Sequence, residues 1–185
     1  MKPAKWTTIA SQPVFSTPIF TLHQHRRRHH RHGEHDFWVM ECGDWVNIIP
    51  ITREGQVVMV RQYRHGTEDL TLEIPGGMMD PEDGTALAAA RREMWEETGY
   101  DSPEISELGR VRPNPAIQTN YCHSFLARDA RLTRRPRLDG TEDIEVVLVG
   151  REEIAGLIVR GEISHALVIT AFAFLDLYHP ASRQV

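Results

Sequence analysis

A chain of 185 residues, 41% hydrophobic and 25% charged, has the size and balance of one globular domain, or of one domain with an N-terminal extension, and enough apolar residues for a real core. No apolar run approaches the roughly 18 residues of a membrane-spanning helix, MKPAKWTTIASQPVF lacks the apolar stretch of a secretory signal, and two cysteines, Cys42 and Cys122, make neither a disulfide framework nor a zinc site; a cytoplasmic setting without a membrane is the expectation. The net charge of −5 is uneven: residues 23–35, HQHRRRHHRHGEH, hold four arginines, one glutamate and six histidines, hence +3 with neutral histidines, which leaves −8 for the rest.

Residues 1–22 contain Trp6, Val14, Phe15, Ile19 and Phe20 among turn formers, and one or two short strands are expected near 13–22. The His/Arg stretch admits a nucleic-acid or phosphate patch, or a metal site built from His29, His30 and His32. Its irregular spacing, without interleaved aromatics for base stacking, favours the plainer reading of a solvated strand end and loop. Residues 36–42 and 45–52 read as strands separated by Gly43-Asp44. Val57–Tyr63 is a strong β-branched strand, and Leu70–Ile74 alternates apolar and polar positions. Pro75-Gly76-Gly77 reads as a tight turn into an acidic loop. Ala86–Thr98 is a helix with Leu87, Ala90 and Met94 on one stripe, capped by Asp83 or Thr85 and closed by Gly99. Strands follow at Ile105–Val111 and Tyr121–Leu126, then a polar loop over 129–143 and a strand at Ile144–Val149. Arg151–Val159 and Ser164–Tyr178 read as helices. This order predicts an α+β layered domain with a mixed sheet.

The chemistry concentrates in the first helix, where Arg92, Glu93, Glu96 and Glu97 stand together. Glu93 and Glu97 are four residues apart and share a helix face, Glu96 flanks it, and Arg92 can pair with Glu96. Three neighbouring carboxylates repel one another and call for cations. Hard divalent ions, Mg²⁺ or Mn²⁺, prefer such oxygen ligands. An exposed acidic helix face would give the same pattern. The glycines ahead of the helix, where a backbone carbonyl can approach a metal, favour the metal reading. Metal, carboxylates and arginines together suit phosphoryl chemistry.

Arg92-Glu93-Met94-Trp95-Glu96-Glu97-Thr98-Gly99-Tyr100 resembles the second half of the Nudix hydrolase signature. In the first half, Gly77 to Arg92 is one residue longer than the signature, so its glutamate falls on Asp83 or Gly84. Val60-Arg61-Gln62-Tyr63-Arg64, Leu72-Glu73-Ile74-Pro75-Gly76-Gly77 and Glu142-Asp143-Ile144-Glu145 extend the resemblance to the ADP-ribose and nucleotide-sugar pyrophosphatase branch. The resemblance implies an α/β/α sandwich, the Nudix fold, with a mixed sheet between helices over residues 46–185. Antiparallel strands over residues 1–45 would serve homodimerisation.

The resemblance further implies metal ligands at Glu93, Glu96, Glu97, Glu142 and the Gly76 carbonyl, with Mg²⁺ as cofactor and Mn²⁺ as a substitute. Arg92 would orient the glutamates, Arg64 would contact the diphosphate, and Glu73 would meet the sugar or base or merely pair with an arginine. The catalytic base is open among Glu142, Asp139, Asp143 and Glu97. Trp45, Phe37 and Trp38 are candidate stacking surfaces for a nucleobase. The implied reaction is hydrolysis of ADP-ribose or a nucleoside diphosphate sugar to a nucleoside monophosphate and a sugar phosphate. The rivals are a sensing Nudix domain that binds without cleaving, disfavoured by the retained carboxylates, and a nucleic-acid cap hydrolase using the basic residues 26–32. Nucleic acid is the less favoured partner.

Overall fold

The computed structural model describes residues 2–138, 140 and 143–178. The chain divides into two compact units, one formed by residues up to Asp44 with Arg112–Tyr121, the other by Trp45–Val111 and the chain from Cys122 on.

The first unit is an antiparallel sheet of three ten-residue strands, β1 (Thr7–Ser16), β2 (Phe20–His29) and β3 (Gly33–Cys42). The sequence suggests one or two short strands near 13–22 and another over 36–42, all shorter than the observed strands, because the sheet is largely open to solvent and its polar strands show no apolar alternation. β1 is exposed along its whole length and breaks register beside Pro13, where a ladder donor is missing. The His/Arg segment is therefore paired strand through His29, not loop: Arg26, Arg27 and Arg28 stand opposite Asp36, His35 and Glu34. Glu34 accepts from both Arg26 and Arg28. His29 is buried under Trp6, with ring centroids 4.9 Å apart.

The second unit carries an eight-stranded mixed sheet. Its spine runs β11 (Ile144–Gly150), β5 (Gln56–Arg64), β4 (Trp45–Thr52), β10 (Cys122–Leu132), β8 (Tyr100–Asp101). β6 (Asp69–Glu73) lies on β5, β7 (Gly76–Met78) on β4 and β9 (Glu104–Val111) on β10. β4 and β10 run parallel and the other pairs antiparallel. Alternation along these strands divides the core into two layers. Val46 and Ile48 of β4 and Phe125 and Ala127 of β10 pack with Ala89, Ala90 and Met94 of α1 (Ala86–Thr98). Ile49 and Leu126, from the same strands, pack on the other side with Ile154 and Leu157 of α2 (Ile154–Val159) and Val168, Ala171, Phe172 and Leu175 of α3 (Ala166–Leu177). The result is the α+β sandwich expected, a mixed sheet between helices.

Two expectations change. Pro75-Gly76-Gly77 is not a tight turn: Gly76–Met78 is a short strand in register with Trp45–Asn47. The polar loop begins after Leu132 rather than at residue 129, because β10 continues far enough to pair with Tyr100 and Asp101.

Candidate active site

α1 forms where its capping signals place it. Thr85 Oγ1 accepts the Ala88 N–H at 3.1 Å and Gly99 closes the helix in the left-handed region at φ 73°. Leu87 is 45% exposed and does not join the packed stripe, which is Ala89, Ala90 and Met94. Glu93 and Glu97 are 9% and 3% exposed, so the acidic face is not a solvated one.

Each carboxylate has a protein donor. Glu93 accepts from Arg92 at 2.9 Å, Glu96 from Arg92 at 3.1 Å, and Glu97 from the Gly76 N–H at 3.0 Å. Arg92 also grips Asp83 with Nε and Nη2, at 2.8 and 2.9 Å, and donates to the Met78 carbonyl at 3.2 Å. The Asp83 hydrogen bonds, joined by the charge of Glu93 and the bond to Glu96, raise the Arg92 pKa above its ordinary value against the opposing effect of burial. The Arg92 hydrogen bonds hold the Asp83 carboxyl below its ordinary value. Of the two candidates for the signature's first acidic position, Asp83 is thus the one that engages the arginine. Gly84, at φ 69°, takes up the longer loop directly after the 3₁₀ turn Pro81–Asp83.

Gly76, Glu93, Glu96, Glu97 and Arg92 line one cavity of about 600 Å³, together with Arg64, Asp80 and Arg137. Its donors are oxygens, the chemistry of a hard divalent cation. Gly77 lets its strand lie close against Glu93: a Cβ there would stand 2.6 Å from Glu93 Oε1. The strand and the carboxylate are therefore built to sit against each other without a side chain between them, and these residues fit a divalent ion. Among the described residues no three His, Cys, Asp or Glu groups are gathered as a ready cage. Glu142 and Asp139 lie outside the described residues, and Asp143 directly precedes β11.

A second cavity, about 510 Å³, shares Arg64, Gly76, Gly77 and Met78 with the first and adds Trp45, Asn47, Thr71, Glu73, Ser164 and His165. Trp45 thus lies where a substrate ring could meet it. Phe37 and Trp38 belong to the other unit, Phe37 edge-on to Trp6 and Trp38 exposed. Glu73 is 3% exposed and bidentate to Arg64, at 2.8 and 2.7 Å, with Thr71 Oγ1 donating to it at 2.6 Å. Burial opposes its ionisation most, yet these bonds, the Arg64 charge and His165 keep its pKa below the ordinary carboxylate value.

Among the lining residues not anticipated from sequence are Asn47, Thr71, His165 and Arg137. Asn47 had a signal, a lone amide in the apolar strand WVNIIPIT. It is buried, its Nδ2 donates to the Leu167 carbonyl at 3.1 Å, and its Oδ1 has no hydrogen-bond partner among the described residues. His165 caps α3 by accepting the Leu167 N–H on Nδ1, so its neutral tautomer carries the proton on Nε2.

Comparison with known proteins agrees with this geometry. Over 185 residues, all of both chains, the sequence is 27% identical to an ADP-ribose pyrophosphatase of Bacillus subtilis (strain 168). It is 27% identical over 186 residues to a GDP-mannose pyrophosphatase of Salmonella arizonae, covering 93% of this chain and 96% of the relative. The crystal structure of an ADP compounds hydrolase matches the fold over 100% of both chains, with a TM-score of 0.84 at 20% identity. The NUDIX domain profile matches residues 44–172, the stretch that contains both cavities and α1. The chain belongs to the NUDIX domain family.

Proposed function

We propose that this Nudix enzyme, a hydrolase of diphosphate bonds, cleaves ADP-ribose or a nucleoside diphosphate sugar in a Mg²⁺-dependent reaction that Mn²⁺ also supports, releasing a nucleoside monophosphate and a sugar phosphate. One observation carries the reading: the carboxylate cavity and the second cavity beside it share the strand Gly76–Met78 and Arg64. A diphosphate lying along that strand has its bridging oxygen beside Glu93, Glu96 and Glu97, and one of its two attached groups beside Trp45, Thr71 and His165.

Glu93, Glu96, Glu97, Glu142 and the Gly76 carbonyl would hold the divalent ion, which would supply charge to the diphosphate and acidity to water. The chain does the rest. Arg92 fixes Glu93 and Glu96, and the Gly76 N–H fixes Glu97. A water oxygen bonds to one phosphorus in line as the bridging P–O bond breaks, and the water proton passes to a carboxylate, Glu97 or a residue of the 139–143 loop. Arg64, locked to Glu73, faces the departing phosphate.

The three retained carboxylates in one cavity support catalysis over mere sensing. Pairing of Arg26 and Arg28 with Glu34 weakens a cap-binding role for residues 26–32. The fully exposed edge strand β1, with Val14 and Phe15 53% and 59% exposed, supports residues 1–45 as a dimerisation element, since open edges are normally covered. No helix among the described residues is long and apolar enough to cross a membrane, in keeping with a cytoplasmic enzyme.

The test is a panel of ADP-ribose, GDP-mannose, UDP-glucose, diadenosine polyphosphates and NADH with Mg²⁺ or Mn²⁺, with products identified. Cleavage to a nucleoside monophosphate supports the proposal, and cleavage of none of them refutes it.

A further inference from the structure

Three arginines line the carboxylate cavity, and their donors are unevenly committed. A guanidinium has five N–H groups. Arg92 directs its own to Asp83, Glu93, Glu96 and the Met78 carbonyl. Arg64 gives Nε and Nη2 to Glu73. Arg137 is different: its backbone N–H donates to the Glu96 carbonyl at 2.8 Å, while its side chain is exposed at the cavity, with no hydrogen-bonded or ion-paired acceptor among the described residues.

The segment that carries Arg137 is fastened to the end of α1. The Thr133 N–H and Oγ1 both donate to the Gly99 carbonyl, at 3.0 and 3.1 Å, and the Arg134 N–H donates to it at 3.3 Å. The Arg134 guanidinium lies 4.1 Å from the Trp95 ring centroid, within cation–π range. Gly99 is needed for the approach as well as for its positive φ, because a Cβ there would collide with the Arg134 carbonyl. The helix that carries Glu93, Glu96 and Glu97 therefore also sets the backbone of Arg137.

A diphosphate entering this cavity adds negative charge beside Asp80, Glu93, Glu96 and Glu97. Donors already spent on protein carboxylates reach it only by breaking those bonds. We propose that Arg137 is a substrate-binding residue that grips the diphosphate, giving phosphoryl oxygens the paired, charge-assisted hydrogen bonds a guanidinium forms. This rests on the diphosphate-hydrolase reading above. It adds the residue that holds the anion, on a segment tied to the carboxylate helix.

The experiment uses the full chain with Arg137→Gln and Arg137→Lys. Arg135→Gln serves as control, removing an exposed charge of the same segment that does not line the cavity. Binding of ADP is measured by calorimetry without added metal, alongside kcat and KM on the best panel substrate and thermal melting. Arg137→Gln is expected to weaken ADP binding about tenfold or more and to lower kcat/KM by at least as much, on the scale of charge-assisted hydrogen bonds. Arg137→Lys recovers part of the loss, because it keeps the charge without the fork. Arg135→Gln binds as wild type, and all melting temperatures agree. Unchanged ADP affinity in Arg137→Gln overturns the inference, as does an equal loss in Arg135→Gln, which would indicate only a general field. If ADP binding depends on Arg137 while no diphosphate is hydrolysed, the inference stands and the proposed function fails. If hydrolysis is found but ADP binding ignores Arg137, the inference alone is overturned.

Discussion

Replacing Gly77 by alanine separates folding from chemistry at this site. The added Cβ would stand 2.6 Å from Glu93 Oε1, 2.8 Å from its Cδ and 3.1 Å from Oε2. An ordinary carbon–oxygen contact is wider by roughly half an ångström or more, so the carboxylate has to move by about that much. These atoms are the far end of a flexible side chain, held by Arg92 at 2.9 Å, rather than backbone, so they can shift at modest cost. The strain expected is at the low end of the roughly 1–3 kcal/mol of overpacking, partly offset by the roughly 0.4–1 kcal/mol that a glycine-to-alanine change gains from the unfolded chain. Chemistry is less forgiving, since a displacement of about 1 Å costs on the order of 10²-fold in rate. Gly77→Ala should therefore melt within a few degrees of wild type yet lose about 10- to 100-fold in kcat/KM. Gly76→Ala is the counterpart. Its Cβ would strike the Val46 carbonyl and approach the Asn47 Cα to 2.9 Å. Both belong to the backbone of β4 and cannot swing aside, so this variant should lose stability plainly. Paired melting curves and steady-state kinetics read both quantities. Full activity in Gly77→Ala, or equal destabilisation by the two variants, would refute the reasoning.

Other outcomes follow from the same contacts. Glu97→Gln keeps an acceptor for the Gly76 N–H but loses its charge. Melting should change little, while turnover on the best substrate falls by about 10² or more, and retained activity would remove Glu97 from the chemistry. Asp83→Asn breaks the bidentate grip on Arg92 and should cost about 1.5–3 kcal/mol in urea unfolding. Because the folded pKa of Asp83 is depressed, its contribution is complete above the ordinary carboxyl pKa of about 3.9 and disappears as pH falls through the folded value. The wild-type advantage over Asp83→Asn should accordingly shrink below about pH 4, and an advantage that stayed constant to pH 2 would contradict the ion pair. Met94→Ala empties a fully buried position between α1 and the sheet and should cost about 2–5 kcal/mol, detected as a lower denaturation midpoint.

The helix of the site was legible to the residue, because Thr85, Gly99 and the Arg92–Glu97 run are local signals and local geometry obeys them. The central strands were legible for the same reason, as short β-branched runs between turns. The open sheet of the first unit was not. Strands such as FTLHQHRRRH face solvent and each other rather than a core, so no alternation records their length. Gly76–Met78 escaped because strand pairing is a long-range property, and a Pro-Gly-Gly sequence carries only the local preference for a turn. Asn47, Thr71, His165 and Arg137 were invisible singly. They become a lining only when β4, β6, α3 and the segment after β10 meet, and sequence spacing does not encode that meeting.

The strand Gly76–Met78 borders both cavities, yet two of its three residues have no side chain. A wall of bare backbone offers later substitution nothing to exchange. Any drift in substrate choice has to be written on the other lining residues, at Trp45, Asn47 and Thr71 or at the start of α3, where Ser164 and His165 stand. Diphosphate cleavage and substrate choice thus rest on one strand but can change independently. A chain built this way can acquire a new substrate without rebuilding its means of breaking the bond.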